Sequence, residues 1–86
     1  MDKILIVEDD PAIAEIERDY LEIDHFQVEI APDGVTGLSW GLSGEFSLIL
    51  LDVMLPGMDG FAVCRRLWEQ LDIPVLMVTA RREDID

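Results

Sequence analysis

Three acidic side chains that follow two apolar runs of the sequence could together bind a metal ion. Glu8 and Asp9 come directly after the apolar residues 4–7, and Asp52 comes directly after the apolar run 46–51. Carboxylates that crowd together repel one another, and a divalent cation between them offsets that charge. Oxygen ligands that leave room for water favour Mg²⁺, or Mn²⁺ in its place.

The same acids could serve phosphoryl transfer. An aspartate beside Mg²⁺, here Asp52, can attack a phosphoryl group and form an acyl phosphate while the metal neutralises charge on the transferred oxygens. Thr79 follows the last apolar run, and its hydroxyl could bond a phosphoryl oxygen. Taken alone, each residue has a structural interpretation, as a helix cap, a turn residue or a buried hydroxyl. Only their joint placement at strand ends favours the chemistry.

Four apolar runs alternate with three segments of helical character. Residues 4–7 and 46–51 are typical of strands covered on both faces, residues 26–30 alternate as in a half-exposed edge strand, and Pro74 opens a last strand over 75–78. The helices are predicted to begin after three N-cap aspartates, Asp10, Asp33 and Asp59. The second helix, over 34–43, contains Gly37 and Gly41. Each costs about 1 kcal/mol relative to alanine, so this helix is expected to be the least stable element.

The order βαβαβαβ predicts a single α/β domain, a parallel sheet with helices on both faces. Ligands of such sheets bind at the carboxyl ends of the strands, where the strand order reverses. In the flavodoxin-like order 2-1-3-4 the reversal falls between the first and third strands. This order would place Glu8 and Asp9 beside Asp52, with Thr79 on the neighbouring strand.

Composition excludes several classes of function. Nineteen acids against six bases give a net charge of −13, which disfavours direct binding to nucleic acid or to anionic membranes. Half of the 86 residues are hydrophobic, so the chain is expected to fold. No run is long enough to span a bilayer and the N-terminus does not resemble a signal peptide, which predicts a cytoplasmic location. The lone Cys64 is interpreted as a packing residue and His25 as an ordinary exposed side chain.

Three segments, "ILIVEDDP", "LILLDVMLPGMDG" and "IPVLMVTAR", resemble the response-regulator receiver family of two-component signalling in both order and spacing. The resemblance implies that Asp52 is the phosphorylated aspartate and that a histidine of a sensor kinase is the phosphoryl donor. It implies that Glu8, Asp9 and the backbone carbonyl of Met54 bind Mg²⁺ together with Asp52, and that Thr79 is the switch hydroxyl. The "LPGMDG" loop is most similar to that of transcriptional regulators with a winged-helix DNA-binding domain.

The resemblance also implies that residues 1–86 form only the first two-thirds of a receiver domain. The last helix, strand and helix of the family are missing, together with a lysine on the fifth strand that pairs with the phosphoryl group. The fourth strand, residues 75–78, would then be an uncovered apolar edge. We therefore expect the chain to associate through that edge, to exchange elements between copies, or to be only partly folded.

Three other functions compete with a phosphoacceptor module. A phosphorylation-independent scaffold fragment would keep the fold without the switch. An aspartate-nucleophile phosphatase of the haloacid dehalogenase kind would need a second aspartate where this chain has Met54, so we expect no enzyme. Nucleotide binding is disfavoured because no glycine-rich phosphate loop follows the first strand.

Overall fold

A computed structural model describes residues 2–55 and 59–78 as a parallel sheet flanked by helices. The elements in chain order are β1 (Lys3–Val7), α1 (Pro11–Ile23), β2 (Gln27–Ala31), α2 (Gly34–Ser43), β3 (Leu48–Asp52), α3 (Gly60–Gln70) and β4 (Val75–Val78). The strand order is β2-β1-β3-β4, and every neighbouring pair is parallel. The flavodoxin-like α/β prediction is thus confirmed, including its strand order.

The register of the sheet determines where the acidic residues lie. Val7, the last residue of β1, pairs with Leu51, and Asp52 follows in β3. Glu8 and Asp52 therefore each follow the last residue pair between β1 and β3, Val7 and Leu51, and lie at the same edge of the sheet. Asp52 in turn pairs with Val78 of β4.

Each of the three helices begins at its predicted aspartate. The side chain of Asp10 accepts a hydrogen bond from the Ala12 N–H at 3.0 Å, and Asp59 accepts one from the Phe61 N–H at 3.0 Å. Asp33 accepts the Thr36 N–H at 2.7 Å. These bonds satisfy N–H groups that the first turn of a helix leaves without partners, so the cap predictions are confirmed.

The main core lies between the sheet and the pair α2 and α3. The odd-numbered residues Leu5 and Val7 face it from β1, and Val63 and Leu67 of α3 pack against them. Cys64 is buried in the same cluster, which confirms its interpretation as a packing residue. Burial raises the pKa of its thiol.

The glycines of α2 have a packing role that composition did not indicate. A Cβ at Gly37 would lie 2.7 Å from both γ carbons of Val7, and one at Gly41 would lie 2.9 Å from a methyl group of Leu67. The absence of a side chain lets α2 approach the sheet closely. These glycines lower the helix propensity of α2, but they allow the close contact between this helix and the sheet.

Some expected features differ in the structure. The third strand begins at Leu48 rather than residue 46, because pairing with β1 begins at Leu48, and Phe46 is buried ahead of that position. The second begins at Gln27 rather than residue 26, and it alternates in exposure at one edge of the sheet, as expected.

The apolar positions of α1 pack only in part against the sheet, where Ile13 is half-buried. Ile16 and Tyr20 of α1 are exposed, because no other helix of the described residues lies beside them. Phe61 and Trp68, two of the apolar positions of α3, are likewise exposed, whereas Leu67 is buried. Helical spacing alone does not show which apolar positions of a helix the sheet covers.

His25 is exposed as predicted, but its backbone is unusual. Its φ of 71° lies in the left-handed region, directly after α1 ends at the C-cap Asp24. The His25 N–H donates to the Glu22 carbonyl at 2.9 Å, and the Phe26 N–H donates to the Leu21 carbonyl at 3.3 Å. This pattern is a Schellman motif, in which glycine is the usual left-handed residue.

Candidate metal centre

Glu8, Asp9 and Asp52 converge at the carboxyl ends of β1 and β3. One carboxylate oxygen from each lies within 4.8 Å of the others. The sequence placed these three residues together on strand order alone, and the structure brings them together. Asp10, the third acid of the same run, caps α1 instead.

Two of the three carboxylates are almost completely buried. Glu8 is 2% exposed and Asp52 is 1% exposed, and Asp9 is partly exposed beside them. Burial of charged groups costs several kcal/mol unless other charges or hydrogen bonds compensate. The cluster therefore carries a cost that an ordinary strand end does not.

Backbone N–H groups fix one oxygen of each buried carboxylate. The Asp10 N–H donates to Glu8 Oε2 at 3.1 Å, and the Met54 N–H donates to Asp52 Oδ1 at 3.1 Å. The other oxygen of Glu8, Oε1, is buried and receives no hydrogen bond from an N–H or hydroxyl within residues 2–55 and 59–78. A buried carboxylate oxygen without a donor matches what a cation would satisfy.

The surroundings raise the pKa of Glu8 to about 7. Burial is the main cause, and the Asp10 N–H opposes it by stabilising the charged form. The negative charge of Asp52 raises the pKa further. In the absence of a cation, Glu8 therefore keeps its proton up to about pH 7, well above the ordinary range of a carboxylic acid.

Glu17 is a fourth acid near the cluster, which the sequence did not indicate. It lies on α1 and is partly buried, and burial together with the charge of Asp52 raises its pKa. Its own charge contributes to the raised pKa of Glu8. No motif marks Glu17, because its proximity depends on how α1 packs across the sheet.

Gly60 lets α3 begin directly over the end of β3. A Cβ at this position would lie 2.6 Å from the Asp52 carbonyl oxygen and 2.8 Å from the Val53 carbonyl oxygen. The Gly60 N–H donates to the Val53 carbonyl at 3.3 Å. The "DG" pair before the helix was read only as a cap, yet its glycine fits against the strand that carries Asp52.

The predicted roles of Met54 and Thr79 are not tested by the structure. Met54 directs its N–H at Asp52 and exposes its side chain, and the role of its carbonyl as a metal ligand stays a prediction. Thr79 lies outside the described residues. Val78, the residue before it, pairs with Asp52, and the Val53 N–H donates to the Val78 carbonyl at 3.0 Å.

The residues present fit a hard divalent cation. Mg²⁺ commonly keeps several waters in its octahedral shell. The site suits this ion, because it has three carboxylates within 4.8 Å, one buried oxygen without a donor, and a partly exposed Asp9 that leaves access for water.

In the part of the chain that the structure describes, no helix is long and apolar enough to cross a membrane.

Comparison with known proteins agrees with this arrangement. Residues 4–86 match the response regulator receiver domain family. The transcriptional regulatory protein CseB of Streptomyces coelicolor is 45% identical over 83 residues, which are 96% of this chain and 36% of CseB. The chain thus spans about a third of the length of that relative.

Solved structures show the same fold. The response regulator TrrA of Thermotoga maritima, in complex with Mg²⁺ and BeF, superposes with a TM-score of 0.90 at 29% identity, over 94% of this chain and 71% of that one. TrrA in complex with the histidine kinase ThkA gives a TM-score of 0.87 at 28% identity, over 100% and 76% of the two chains. With its residues 4–86 matched to the family and its acidic cluster at the expected edge of the sheet, the chain belongs to the response regulator receiver domain family.

Proposed function

We propose that this chain is a phosphoacceptor module in which Asp52 receives a phosphoryl group from a histidine of a sensor kinase. The observation that carries the proposal is the buried Asp52 carboxylate within 4.8 Å of Glu8 and Asp9, at the carboxyl edge of a receiver fold. A carboxylate oxygen of Asp52 forms a bond to phosphorus, the bond from phosphorus to the histidine nitrogen breaks, and the electron pair stays on the imidazole.

The proposal gives a role to each predicted residue of the site. Glu8, Asp9 and Asp52 hold Mg²⁺ together with the carbonyl of Met54, and Thr79 bonds a phosphoryl oxygen. The Met54 N–H holds Asp52 Oδ1 in place at 3.1 Å, so the nucleophile is oriented before the donor arrives. When bound, the cation supplies positive charge that offsets the negative charge of the transferred oxygens.

The kinase partner and the output are supported by the similar proteins. TrrA has been solved in complex with the histidine kinase ThkA, and CseB is named a transcriptional regulatory protein. We propose that residues 1–86 are part of a receiver domain that controls transcription through a DNA-binding domain elsewhere in a longer chain. A cytoplasmic location and the absence of enzymatic turnover stay predictions. A phosphorylation-independent scaffold is less favoured, because it gives no reason for the buried carboxylates.

We also propose that this 86-residue chain self-associates through β4, which has a neighbouring strand on only one side within residues 2–55 and 59–78. β4 is the last strand in the order β2-β1-β3-β4, and Leu76 on it is 54% exposed. The Ile49 N–H donates to the Pro74 carbonyl and the Val53 N–H donates to the Val78 carbonyl, so even-numbered residues of β4 direct their backbone groups toward β3. The direction of the backbone N–H and C=O groups alternates from one residue of a strand to the next. Val75 and Met77 therefore direct their backbone groups away from β3, where another strand could pair with them.

Phosphorylation by a small donor tests the main proposal. The chain is incubated with acetyl phosphate and Mg²⁺, and intact mass spectrometry is expected to show one phosphoryl adduct that is lost in base. Asp52→Asn should abolish the adduct, whereas Asp59→Asn, which changes an exposed helix cap, should retain it. An adduct that persists in Asp52→Asn, or no adduct in a chain that circular dichroism shows to be folded, would overturn the proposal.

A further inference from the structure

A groove with a volume of about 500 Å³ lies between α2 and α3. Leu38 and Leu42 of α2 and Ala62 of α3 form its apolar part, and its charged part comes from Arg65, Arg66 and Glu69. None of these residues belongs to the carboxylate cluster. The groove is therefore separate from the carboxylate cluster.

Two arginines distinguish this groove in a chain whose net charge is −13. Among the basic residues that the structure describes, Lys3 and Arg18 each form an ion pair with a glutamate. Arg65 and Arg66 are exposed, and their side chains form no ion pair or hydrogen bond with any residue in 2–55 and 59–78. Two guanidinium groups thus project beside an apolar surface without a carboxylate partner from the described chain.

We propose that this groove binds an acidic amphipathic helix of a partner protein. A helix that lies in a groove buries its apolar stripe, here against Leu38, Leu42 and Ala62. The carboxylates that flank such a stripe would meet Arg65 and Arg66, whose planar guanidinium groups can bind a carboxylate through two hydrogen bonds. α2 and α3 have 10 and 11 residues, about 15 Å each, which corresponds to roughly three helical turns.

Glu69 sets the direction of the bound charge. It lies one helical turn beyond Arg65 and Arg66, toward the C-terminal end of α3. A carboxylate of the partner would be repelled there and attracted near the start of the groove. The acids of the partner helix are therefore concentrated at the end that lies over Arg65 and Arg66, and replacing Glu69 by glutamine should strengthen binding.

Fluorescence anisotropy with synthetic helical peptides tests the proposal on the whole 86-residue chain. One labelled peptide carries leucines along one face and glutamates beside them, and its counterpart has lysine in place of every glutamate. The glutamate peptide is expected to bind in spite of the chain's net negative charge, and the lysine peptide to lose the contribution of the arginines. Arg65→Gln and Arg66→Gln should each weaken binding of the glutamate peptide by about threefold, as exposed ion pairs do.

Two comparisons separate this site from general charge effects. Arg18→Gln on α1 makes the same change in net charge and should leave the affinity unchanged. Glu69→Gln should tighten binding, whereas Glu22→Gln, an exposed acid on α1, should not, and a gain in affinity cannot arise from unfolding. Equal affinities across these variants would overturn the proposal, as would tighter binding of the lysine peptide. If neither peptide binds and the arginine changes instead reduce self-association, a second copy occupies the groove and the proposal is wrong.

Discussion

The carboxylates of Glu8 and Asp52 lie together at the ends of adjacent parallel strands, both almost completely excluded from water. Each is held on one oxygen by a backbone N–H two residues farther along the chain. Two buried acids in this position repel each other, so the fold brings together charges that need a proton or a cation. The pH dependence of stability and the pH dependence of Mg²⁺ affinity both test that requirement.

Stability without metal should fall as the pH rises from about 4.5 to about 7, because the pKa of Glu8 rises from 4.5 to about 7 on folding. In this window the folded chain binds more protons than the unfolded chain, so each rise in pH favours unfolding. The cost above pH 7 should be at most on the order of 3 kcal/mol. Urea unfolding in the presence of a chelator, measured from pH 4 to pH 8, checks this.

Glu8→Gln is the matched variant for that measurement. It keeps the size of the side chain and cannot ionise, so its stability should vary less with pH and exceed that of the parent at pH 8. Glu22→Gln, an exposed change on α1, should keep the slope of the parent. An unchanged slope in Glu8→Gln would show that another group is responsible.

Magnesium should compete with the proton on Glu8. Affinity for Mg²⁺ is expected to rise by up to about tenfold per pH unit below pH 7 and to level off above it, since one proton leaves as the ion binds. Calorimetric titrations in buffers of different ionisation enthalpy measure the protons released. Asp9→Asn should weaken binding at every pH, whereas Asp2→Asn should not. A pH-independent affinity would contradict the assignment of Glu8 as a ligand.

Much of this site could be predicted from the sequence, because it depends on where strands end. Glu8, Asp9 and Asp52 each follow an apolar run, and parallel strands bring such positions to one edge. The starts of the helices were also predictable, because an aspartate cap is a local interaction between residues close in sequence.

The features that depend on packing were not predictable. Glu17 approaches the cluster only because α1 crosses the sheet as it does, and the glycines of α2 have meaning only beside Val7 and Leu67. The exposure of Phe61 and Trp68 was not predictable either, because periodicity identifies apolar positions but not the element that covers them.

His25→Gly should stabilise the chain. His25 has a φ of 71° in the Schellman motif after α1, a conformation that glycine adopts without a Cβ penalty. The expected gain in unfolding free energy is about 0.5–1 kcal/mol, read from urea denaturation. Asp24→Gly, at the preceding residue with φ of −91°, should instead destabilise slightly. Stabilisation by both changes, or by neither, would contradict this reading of the helix end.

Self-association should depend on the β4 edge. Leu76→Lys places a charge on the exposed strand and should shift the chain toward monomer in sedimentation velocity experiments. Val35→Lys, at a still more exposed apolar position on α2, should leave the distribution unchanged. A parent chain that stays monomeric at high concentration would count against the proposed edge contact.

The residue that carries the phosphoryl group is the most direct test of the account. Borohydride reduces an aspartyl phosphate to homoserine, so peptide mass spectrometry after treatment with acetyl phosphate and Mg²⁺ identifies the modified position. The account predicts homoserine at residue 52 alone, and none when a chelator removes the metal. Homoserine at Asp9, Asp10 or Asp59 in place of Asp52, or equal labelling without metal, would contradict it.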